Sequence, residues 1–144
     1  MKLVTVLLAG MLATGVGYAQ EKRLDPQQAV KACSPGMVDD DCIVRHFKDT
    51  VEASVIRGRL VYENYCILCH GKEGKGDGRA AKLHDPRPFN LTLSVAPRDY
   101  IAQVVRKGGE SMNRGKGMPP WGDQLTDEQI NDTLNFLWSI RVYK

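Results

Sequence analysis

The stretch Cys66-Ile67-Leu68-Cys69-His70 decides the fold of this chain, because it places two thiols and an imidazole at the spacing of one helical turn. Residues at i, i+3 and i+4 share a face of an α-helix, so Cys66, Cys69 and His70 can address one flat object lying against that turn. Each thiol can add to a vinyl group of a porphyrin, and the imidazole can then reach its iron. The spacing predicts one covalently attached haem c held by Cys66 and Cys69, with His70 as an axial ligand.

Two other interpretations of this stretch compete with haem attachment. Half of a zinc site would need further cysteine or histidine ligands at matching spacing. A redox dithiol of the thioredoxin type would be expected within a βαβ unit. The sequence offers neither context, so haem attachment is the favoured interpretation.

The residues on either side of the stretch carry a wider pattern. Its members are Gly58, Tyr62 and Cys66 at intervals of four, a glycine-rich run at residues 71–78, and the later step Met118-Pro119. With these motifs, residues 54–144 resemble the class I monohaem cytochromes c of bacteria. The resemblance implies an all-α, small cytochrome c fold, in which helices are wrapped around one covalently attached haem.

The resemblance also implies how the first and last helices of this domain meet. An aromatic residue of the last helix is expected to cross near Gly58, and Phe136 holds that place in the family pattern, with Trp138 as the competing candidate. The family often has a proline after the glycine-rich run, whose carbonyl orients the proximal imidazole, but Arg79 stands there in this chain. Which backbone carbonyl supports His70 is therefore left open.

The sixth ligand of the iron is sought among two methionines and one histidine. Met118 precedes two prolines that stiffen the backbone, Trp121 can pack against the porphyrin, and the resemblance places the ligand in such a Met-Pro step. A thioether is a soft, neutral ligand that suits haem iron. Met118 is therefore predicted as the ligand, with Met112 and His84 as alternatives, and a packing role for both methionines as a further interpretation.

The N-terminal residues predict export. Lys2 is followed by an apolar run at residues 3–12 and by Gly17-Tyr18-Ala19, a pattern typical of a signal peptide at residues 1–19 that is cut after Ala19. The apolar run is too short to span a bilayer comfortably. We therefore expect a periplasmic protein in an oxidising compartment, without stable membrane insertion.

Residues 20–53 form an N-terminal extension that the cytochrome pattern does not require. Asp25-Pro26 is typical of a helix start, Gln28 could close a capping box, and Ser34-Pro35-Gly36 predicts a turn before a second helix. Cys33 and Cys42 lie outside the haem motif in an exported chain. They are therefore predicted to form a disulfide, with a three-ligand zinc site that includes His46 as the alternative.

The other helices are predicted from turn and cap residues. A helix at residues 54–65 leads into the haem motif, and residues 71–96 form a loop with one helical turn near Arg79 to Leu83. Pro97 opens a further helix that ends at Gly108-Gly109. Thr126 and Gln129 form a capping box that starts the last helix, at residues 127–140.

Positive charge is concentrated in the segments that should surround the haem. The chain of 144 residues has a net charge of only +3, which predicts neither nucleic-acid nor membrane binding. Residues 71–116, however, hold ten Lys and Arg against five Asp and Glu. A docking surface for an acidic face of a redox partner is therefore predicted, with the candidates Lys72, Lys75, Arg79, Lys82, Arg114 and Lys116. The alternative is a solvated basic loop.

Axial ligation decides between the candidate functions. An iron with both axial positions filled by histidine and methionine has no open position for a substrate, so it can only exchange an electron. A periplasmic single-electron carrier without enzyme activity is predicted, as a monomer that reacts with redox partner proteins. The alternatives are a haem subunit docked to a larger oxidoreductase, for example a periplasmic dehydrogenase, and a haem enzyme or gas sensor.

Overall fold

The computed structural model describes residues 21–33 and 37–143 of the chain. Within these ranges every regular element is helical, which confirms the all-α prediction. The α-helices are α1 (Pro26–Ala32), α2 (Asp40–His46), α3 (Val51–Tyr65), α4 (Ile67–His70), α5 (Arg98–Lys107) and α6 (Asp127–Ser139). Short 3₁₀ turns lie at Ala81–Leu83, Leu91–Leu93 and Glu110–Met112. The predicted signal peptide and the predicted turn at residues 34–36 lie outside the described residues.

Side-chain caps fix where the helices begin. The capping box of α6 is confirmed, because Thr126 and Gln129 each bond the backbone of the other. The box predicted at α1 is wrong, since the carboxylate of Asp25 accepts from the Gln27 backbone N–H instead. Helix α3 starts at Val51, earlier than predicted, because the hydroxyl of Thr50 caps it.

Helices α3 and α6 cross in direct backbone contact at Gly58. A Cβ atom at this position would overlap the carbonyl oxygen of Asp132 and lie 2.8 Å from the backbone nitrogen of Thr133. Only glycine allows this approach, which explains why a helix interior tolerates a residue that costs about 1 kcal/mol relative to alanine. The rings of Tyr62 and Phe136 pack beside the crossing with their centroids 5.1 Å apart. Phe136 is therefore the aromatic residue at the crossing, as the resemblance implied.

A buried polar network joins the same two helices. Arg57 donates to both carboxylate oxygens of Asp132, at 2.7 and 2.9 Å, and the hydroxyl of Ser54 also donates to this carboxylate. Asn135 donates to the Ser54 hydroxyl at 2.7 Å. Asp132 is only 3% exposed, and its hydrogen bonds raise the pKa of Arg57. Because a buried carboxylate without its partners is costly, the network holds α3 and α6 in one register.

The hydrophobic core lies between α3, α5 and α6. Its buried members are Val61, Tyr62, Ala102, Val105, Leu125, Ile130, Leu134, Phe136 and Leu137. Partly buried side chains packed against this core include Cys66, Ile67, Met118 and Trp121. The haem motif and the predicted Met-Pro ligand step therefore both border one apolar interior.

The segment before α3 is attached to the outer side of that helix. The backbone N–H of Val51 donates to the carbonyl of Lys22 at 3.0 Å, and Asp40 pairs with Arg59. Cys33 and Cys42 are joined by a disulfide, with their Cα atoms 6.0 Å apart. No helix in residues 21–33 or 37–143 combines the length and the apolar character needed to span a bilayer.

Candidate haem-binding site

The haem motif forms a single helical turn, which we call the anchor turn (Cys66–His70). Helix α3 ends where the backbone N–H of Cys66 donates to the carbonyl of Tyr62 at 2.8 Å. The backbone N–H groups of Cys69 and His70 then both donate to the carbonyl of Cys66, at 3.2 and 2.9 Å. Both thiols are free and half-buried. Two thiols and one imidazole therefore stand on one turn, in the arrangement that the sequence predicts.

The imidazole of His70 is held by a backbone carbonyl that sequence reasoning did not identify. Its Nδ1 lies 3.3 Å from the carbonyl oxygen of Phe89, so the Nδ1–H can donate to that oxygen. This contact leaves Nε2 as the ring nitrogen that could bind a metal ion. Burial lowers the pKa of His70, although the hydrogen bond with the Phe89 carbonyl acts in the opposite direction. The lowered pKa favours the neutral imidazole that metal binding requires.

The folded loop after the anchor turn brings Phe89 to His70. The backbone N–H of Gly76 donates to the carbonyl of His70 at 2.8 Å, and a Cβ atom on Gly76 would overlap the carbonyl of Pro88. Gly76 has φ +78, a conformation that side chains rarely adopt. The glycine-rich run therefore lets the chain return beneath the imidazole, where the carbonyl of Phe89 meets it.

Burial and hydrogen bonding keep the polar groups around the anchor turn neutral. Burial raises the pKa of the Cys66 thiol to about 12, and the neighbouring Cys69 acts in the same direction. Burial also raises the pKa of Tyr62, whose hydroxyl donates to the carbonyl of Gly71 at 2.7 Å. Tyr62 thereby ties the end of the anchor turn to α3. The anchor turn is a neutral, half-buried surface, which suits an apolar macrocycle.

Met118 is presented by the end of α5. Its carbonyl accepts from the backbone N–H of Gly109 at 2.9 Å, and a Cβ atom on Gly108 would lie 2.9 Å from the same carbonyl oxygen. The backbone N–H of Trp121 donates to the carbonyl of Val105 at 3.0 Å, which ties the following residues to α5 as well. The side chain of Met118 packs against the core. Its role as an iron ligand stays a prediction, and Met112, the alternative, lies in the 3₁₀ turn at Glu110–Met112.

The aromatic and histidine candidates lie close to the anchor turn. The Trp121 ring packs edge-on against Tyr65, with centroids 5.3 Å apart. His84 is half-buried, and its Nε2 lies 3.5 Å from the sulfur of Cys69. The structure thus brings His84 to Cys69, a predicted haem anchor, although the sequence suggested His84 only as an alternative ligand. Trp138 lies elsewhere, with the guanidinium groups of Arg98 and Arg141 at 5.5 and 3.4 Å from its ring centroid.

The donor set fits a c-type haem. Two free thiols on one turn can form the two thioether bonds, and an imidazole with its Nδ1 engaged can bind iron through Nε2. A methionine that borders the same apolar core could supply a soft donor. Cys66, Cys69, His70 and Met118 would hold the group, and the surrounding core would exclude water from it.

Sequence comparisons show which known proteins this chain is similar to. Residues 53–137 match the family model described as cytochrome c oxidase, cbb3-type, subunit III. The chain is 31% identical over 90 residues to the cbb3-type cytochrome c oxidase subunit FixP of Sinorhizobium medicae, a match that covers 60% of this chain and 30% of FixP.

A solved structure is similar as well. It belongs to a reducing HAO-like protein complex of Kuenenia stuttgartiensis, with a TM-score of 0.51, 31% identity, and coverage of 59% of this chain and 41% of the other. The chain thus spans less than half the length of each of these relatives. The matched residues 53–137 include the anchor turn and Met118.

Proposed function

Because the chain belongs to the family described as subunit III of cbb3-type cytochrome c oxidase, we propose that it is a periplasmic single-electron carrier with His70 and Met118 as axial ligands. The family binds covalent haem c and acts in electron transfer. The observation that carries the proposal is the anchor turn, in which two free thiols precede an imidazole that is oriented by the carbonyl of Phe89. With both axial positions filled, no substrate site remains on the iron.

Each side chain has a separate task in this function. The haem supplies a one-electron iron couple. Cys66 and Cys69 tether it irreversibly, and the Phe89 carbonyl holds the His70 ring in one tautomer and raises its basicity as a ligand. Pairing histidine with the Met118 thioether raises the reduction potential, and the apolar core restricts solvent. A redox titration of the purified protein, monitored by its absorption spectrum, should show a single one-electron transition. Carbon monoxide should not bind the reduced protein readily.

A second candidate is a haem subunit of a larger oxidoreductase complex. The specific observation in its favour is that both similar proteins are described as components of such assemblies. The segment of α1 and α2, attached to the outer side of α3, would then be available for docking. Mild purification from the periplasm distinguishes the candidates, because a carrier elutes alone and a subunit co-elutes with a stoichiometric partner. Rapid carbon monoxide binding by the untreated reduced protein would instead favour a haem enzyme or gas sensor.

Export and processing follow from the N-terminal pattern. We propose that residues 1–19 are removed, that the mature protein starts at Gln20 in the periplasm, and that the cytochrome c domain comprises residues 54–144 after the extension at 20–53. The mass of the periplasmic protein tests the cleavage site. A mass that includes residues 1–19 would contradict it.

The Cys33–Cys42 disulfide is proposed to stabilise only the extension. Closing so short a loop should contribute about 2 to 3 kcal/mol in the chain-entropy model. Replacing both cysteines with serine should therefore loosen α1 and α2 without changing the haem spectrum, because neither residue belongs to the anchor turn. Mass measurement under non-reducing conditions checks the bond, and two free thiols in the native protein would contradict it.

The docking surface is proposed to lie beside the Cys69 anchor. Leu68 and Leu83 are 48% and 82% exposed there, and the backbone N–H of Ala80 donates to the carbonyl of Leu68 at 2.9 Å. Lys82 directly precedes Leu83 in the sequence, and Arg79 directly precedes Ala80. We call Leu68, Leu83, Arg79 and Lys82 the anchor surface. An electron leaving the haem edge near Cys69 would cross it, so its charges would select an acidic partner face.

The positive charges within residues 71–116 differ in whether a nearby carboxylate pairs with them. Lys75 pairs with Glu73 at 2.5 Å and Lys116 pairs with Glu110 at 3.4 Å, so both positive charges are compensated locally. In the described part of the chain, no ion pair involves the side chains of the anchor surface. Arg79 and Lys82 therefore present a stronger positive field to a partner than Lys75 and Lys116 do.

Reversing the cations of the anchor surface should slow electron transfer. For Arg79→Glu with Lys82→Glu, we expect the bimolecular rate with the physiological partner at low salt to fall about tenfold or more, because complementary charge raises encounter rates. The reduction potential should change little, since exposed charges are screened within about 8 Å at physiological salt. Stopped-flow rates over a salt series measure the effect.

A matched control carries the same change in net charge. Lys75→Glu with Lys116→Glu alters two compensated positions and should slow the reaction less. Equal effects of the two pairs would mean that only the net charge matters. A rate indifferent to both pairs and to salt would show that the basic loop is solvated surface, and the docking face would then have to lie elsewhere.

A further inference from the structure

His84 connects the haem anchor to the residue that precedes Met118. Its Nε2 lies 3.5 Å from the sulfur of Cys69. The opposite edge of the ring lies on Gly117, where a Cβ atom would come within 2.7 Å of Nδ1 and 3.0 Å of Cγ. One imidazole thus spans the gap between the second thioether anchor and the backbone of the proposed ligand segment.

A second contact joins the same two segments. A Cβ atom at Gly115 would lie 2.6 Å from Cδ of Pro86, so residues 84–86 pack against residues 115–117 through two glycines. Gly115 also has φ +88, which makes it unsuitable for most other residues. The contact therefore extends over several residues of each segment and does not depend on a single pair of side chains.

Met118 is consequently supported from two directions. On one side its carbonyl accepts from the backbone N–H of Gly109, at the end of α5. On the other side the residue before it rests on the imidazole of His84. The first support is a hydrogen bond to a helix end. The second is packing, and in the described part of the chain no hydrogen bond accompanies it between residues 84–86 and 115–117.

We propose that His84 is a positioning residue that holds the Met118 thioether on the iron by bracing residues 115–117 against Cys69. The proposal rests on Met118 being the axial ligand. Removing the imidazole would leave a gap between Cys69 and Gly117, and the segment that carries the ligand would visit open conformations more often. The thioether sulfur of Cys69 remains a weak acceptor for the Nε2–H, so the contact can persist after haem attachment.

Carbon monoxide measures this opening in the reduced protein. At saturating carbon monoxide, the binding rate is limited by how often the sulfur leaves the iron, because only the open state can bind the gas. His84→Ala should raise this limiting rate about tenfold, the change that corresponds to about 1.4 kcal/mol. The sulfur-to-iron charge-transfer band of the oxidised protein should also be lost at a lower denaturant concentration. His84→Gln, which retains a similar length and an N–H donor group, should restore much of both properties.

Gly117 provides a test from the other side of the contact. Gly117→Ala would push its new Cβ atom into the His84 ring, so we expect it to raise the limiting rate as well. In the His84→Ala background the same change meets no ring and should add little. This non-additivity is the signature of direct coupling between the two positions. Val95→Ala is the matched control, because Val95 lies in the same segment between α4 and α5 but is 81% exposed.

The outcomes separate this inference from the proposed function. If Met118→Ala abolishes the charge-transfer band but His84→Ala changes neither the band nor the limiting rate, the positioning role is wrong and methionine ligation stands. Additive effects of His84→Ala and Gly117→Ala would also overturn it. If the native protein lacks the band altogether, methionine ligation fails, and His84 becomes the first candidate for the sixth ligand.

Discussion

Replacing Cys66 with alanine is expected to reduce the yield of haem-containing protein to a small fraction of the native level. The reason is that the haem is part of the core of a small domain, where apolar burial is scarce. Cys66 itself packs against that core, so its loss removes a covalent tether and a packing contact together. Absorbance of the haem per polypeptide in periplasmic extracts measures the effect.

Solvent extraction tests the covalent attachment directly. The native protein is denatured and treated with acidic organic solvent, which removes haem that is bound only through iron. We expect all of the haem to stay with the polypeptide, since thioether bonds do not dissociate. Leu68→Ala is the matched control for Cys66→Ala, because Leu68 lies between the two cysteines but is 48% exposed. Haem that leaves with the solvent would contradict attachment through Cys66 and Cys69.

Local sequence signals predicted the helices well because their causes are local. The capping box of α6 needs only Thr126 and Gln129, and the end of α5 needs only a glycine, here Gly108 with φ +77. Gly58 was also informative, since an otherwise unfavourable residue in a helix interior implied a close backbone neighbour. The resemblance, not the spacing, supplied the identity of that neighbour's aromatic residue, Phe136.

Contacts between distant residues were not predictable in the same way. The Phe89 carbonyl supports His70 from 19 residues away, and any backbone carbonyl can accept a hydrogen bond, so no residue type marks the position. The ion pair of Arg57 with Asp132 spans 75 residues. In the sequence, each of these charged residues looks like part of a solvated helix face. Only the crossing at Gly58 brings them together and buries the carboxylate.

Trp138 illustrates how tertiary context changes the role of an apolar residue. Its spacing in α6 is that of the apolar face with Ile130 and Leu134, but only the latter two are fully buried, whereas Trp138 packs against the core and stays partly buried. The guanidinium of Arg141 lies over the Trp138 ring, 3.4 Å from the ring centroid. An indole attracts a cation through its π face, so one ring serves both the core and the arginine. Helical periodicity alone could not distinguish the two environments.

Replacing Met118 with alanine is expected to change the iron more than any other single substitution outside the anchor turn. The sulfur-to-iron charge-transfer band should disappear, because no thioether remains at the sixth position. The reduction potential should fall, since a thioether ligand is what raises it. The reduced protein should also bind carbon monoxide rapidly, because the open position no longer requires the sulfur to leave. Absorption spectra, a redox titration and stopped-flow mixing measure the three effects.

Met112→Ala is the matched comparison, because the two methionines belong to the same loop and differ in their surroundings. Met118 packs against the core and is fixed through its carbonyl by Gly109, whereas Met112 lies in a 3₁₀ turn that ends at Asn113 with φ 54. Met112→Ala should therefore leave the band, the potential and the slow carbon monoxide reaction nearly unchanged. If Met112→Ala produces the changes expected for Met118→Ala and Met118→Ala does not, the ligand is Met112. The loop would then have to refold around the iron, because its fixed end in this structure presents Met118.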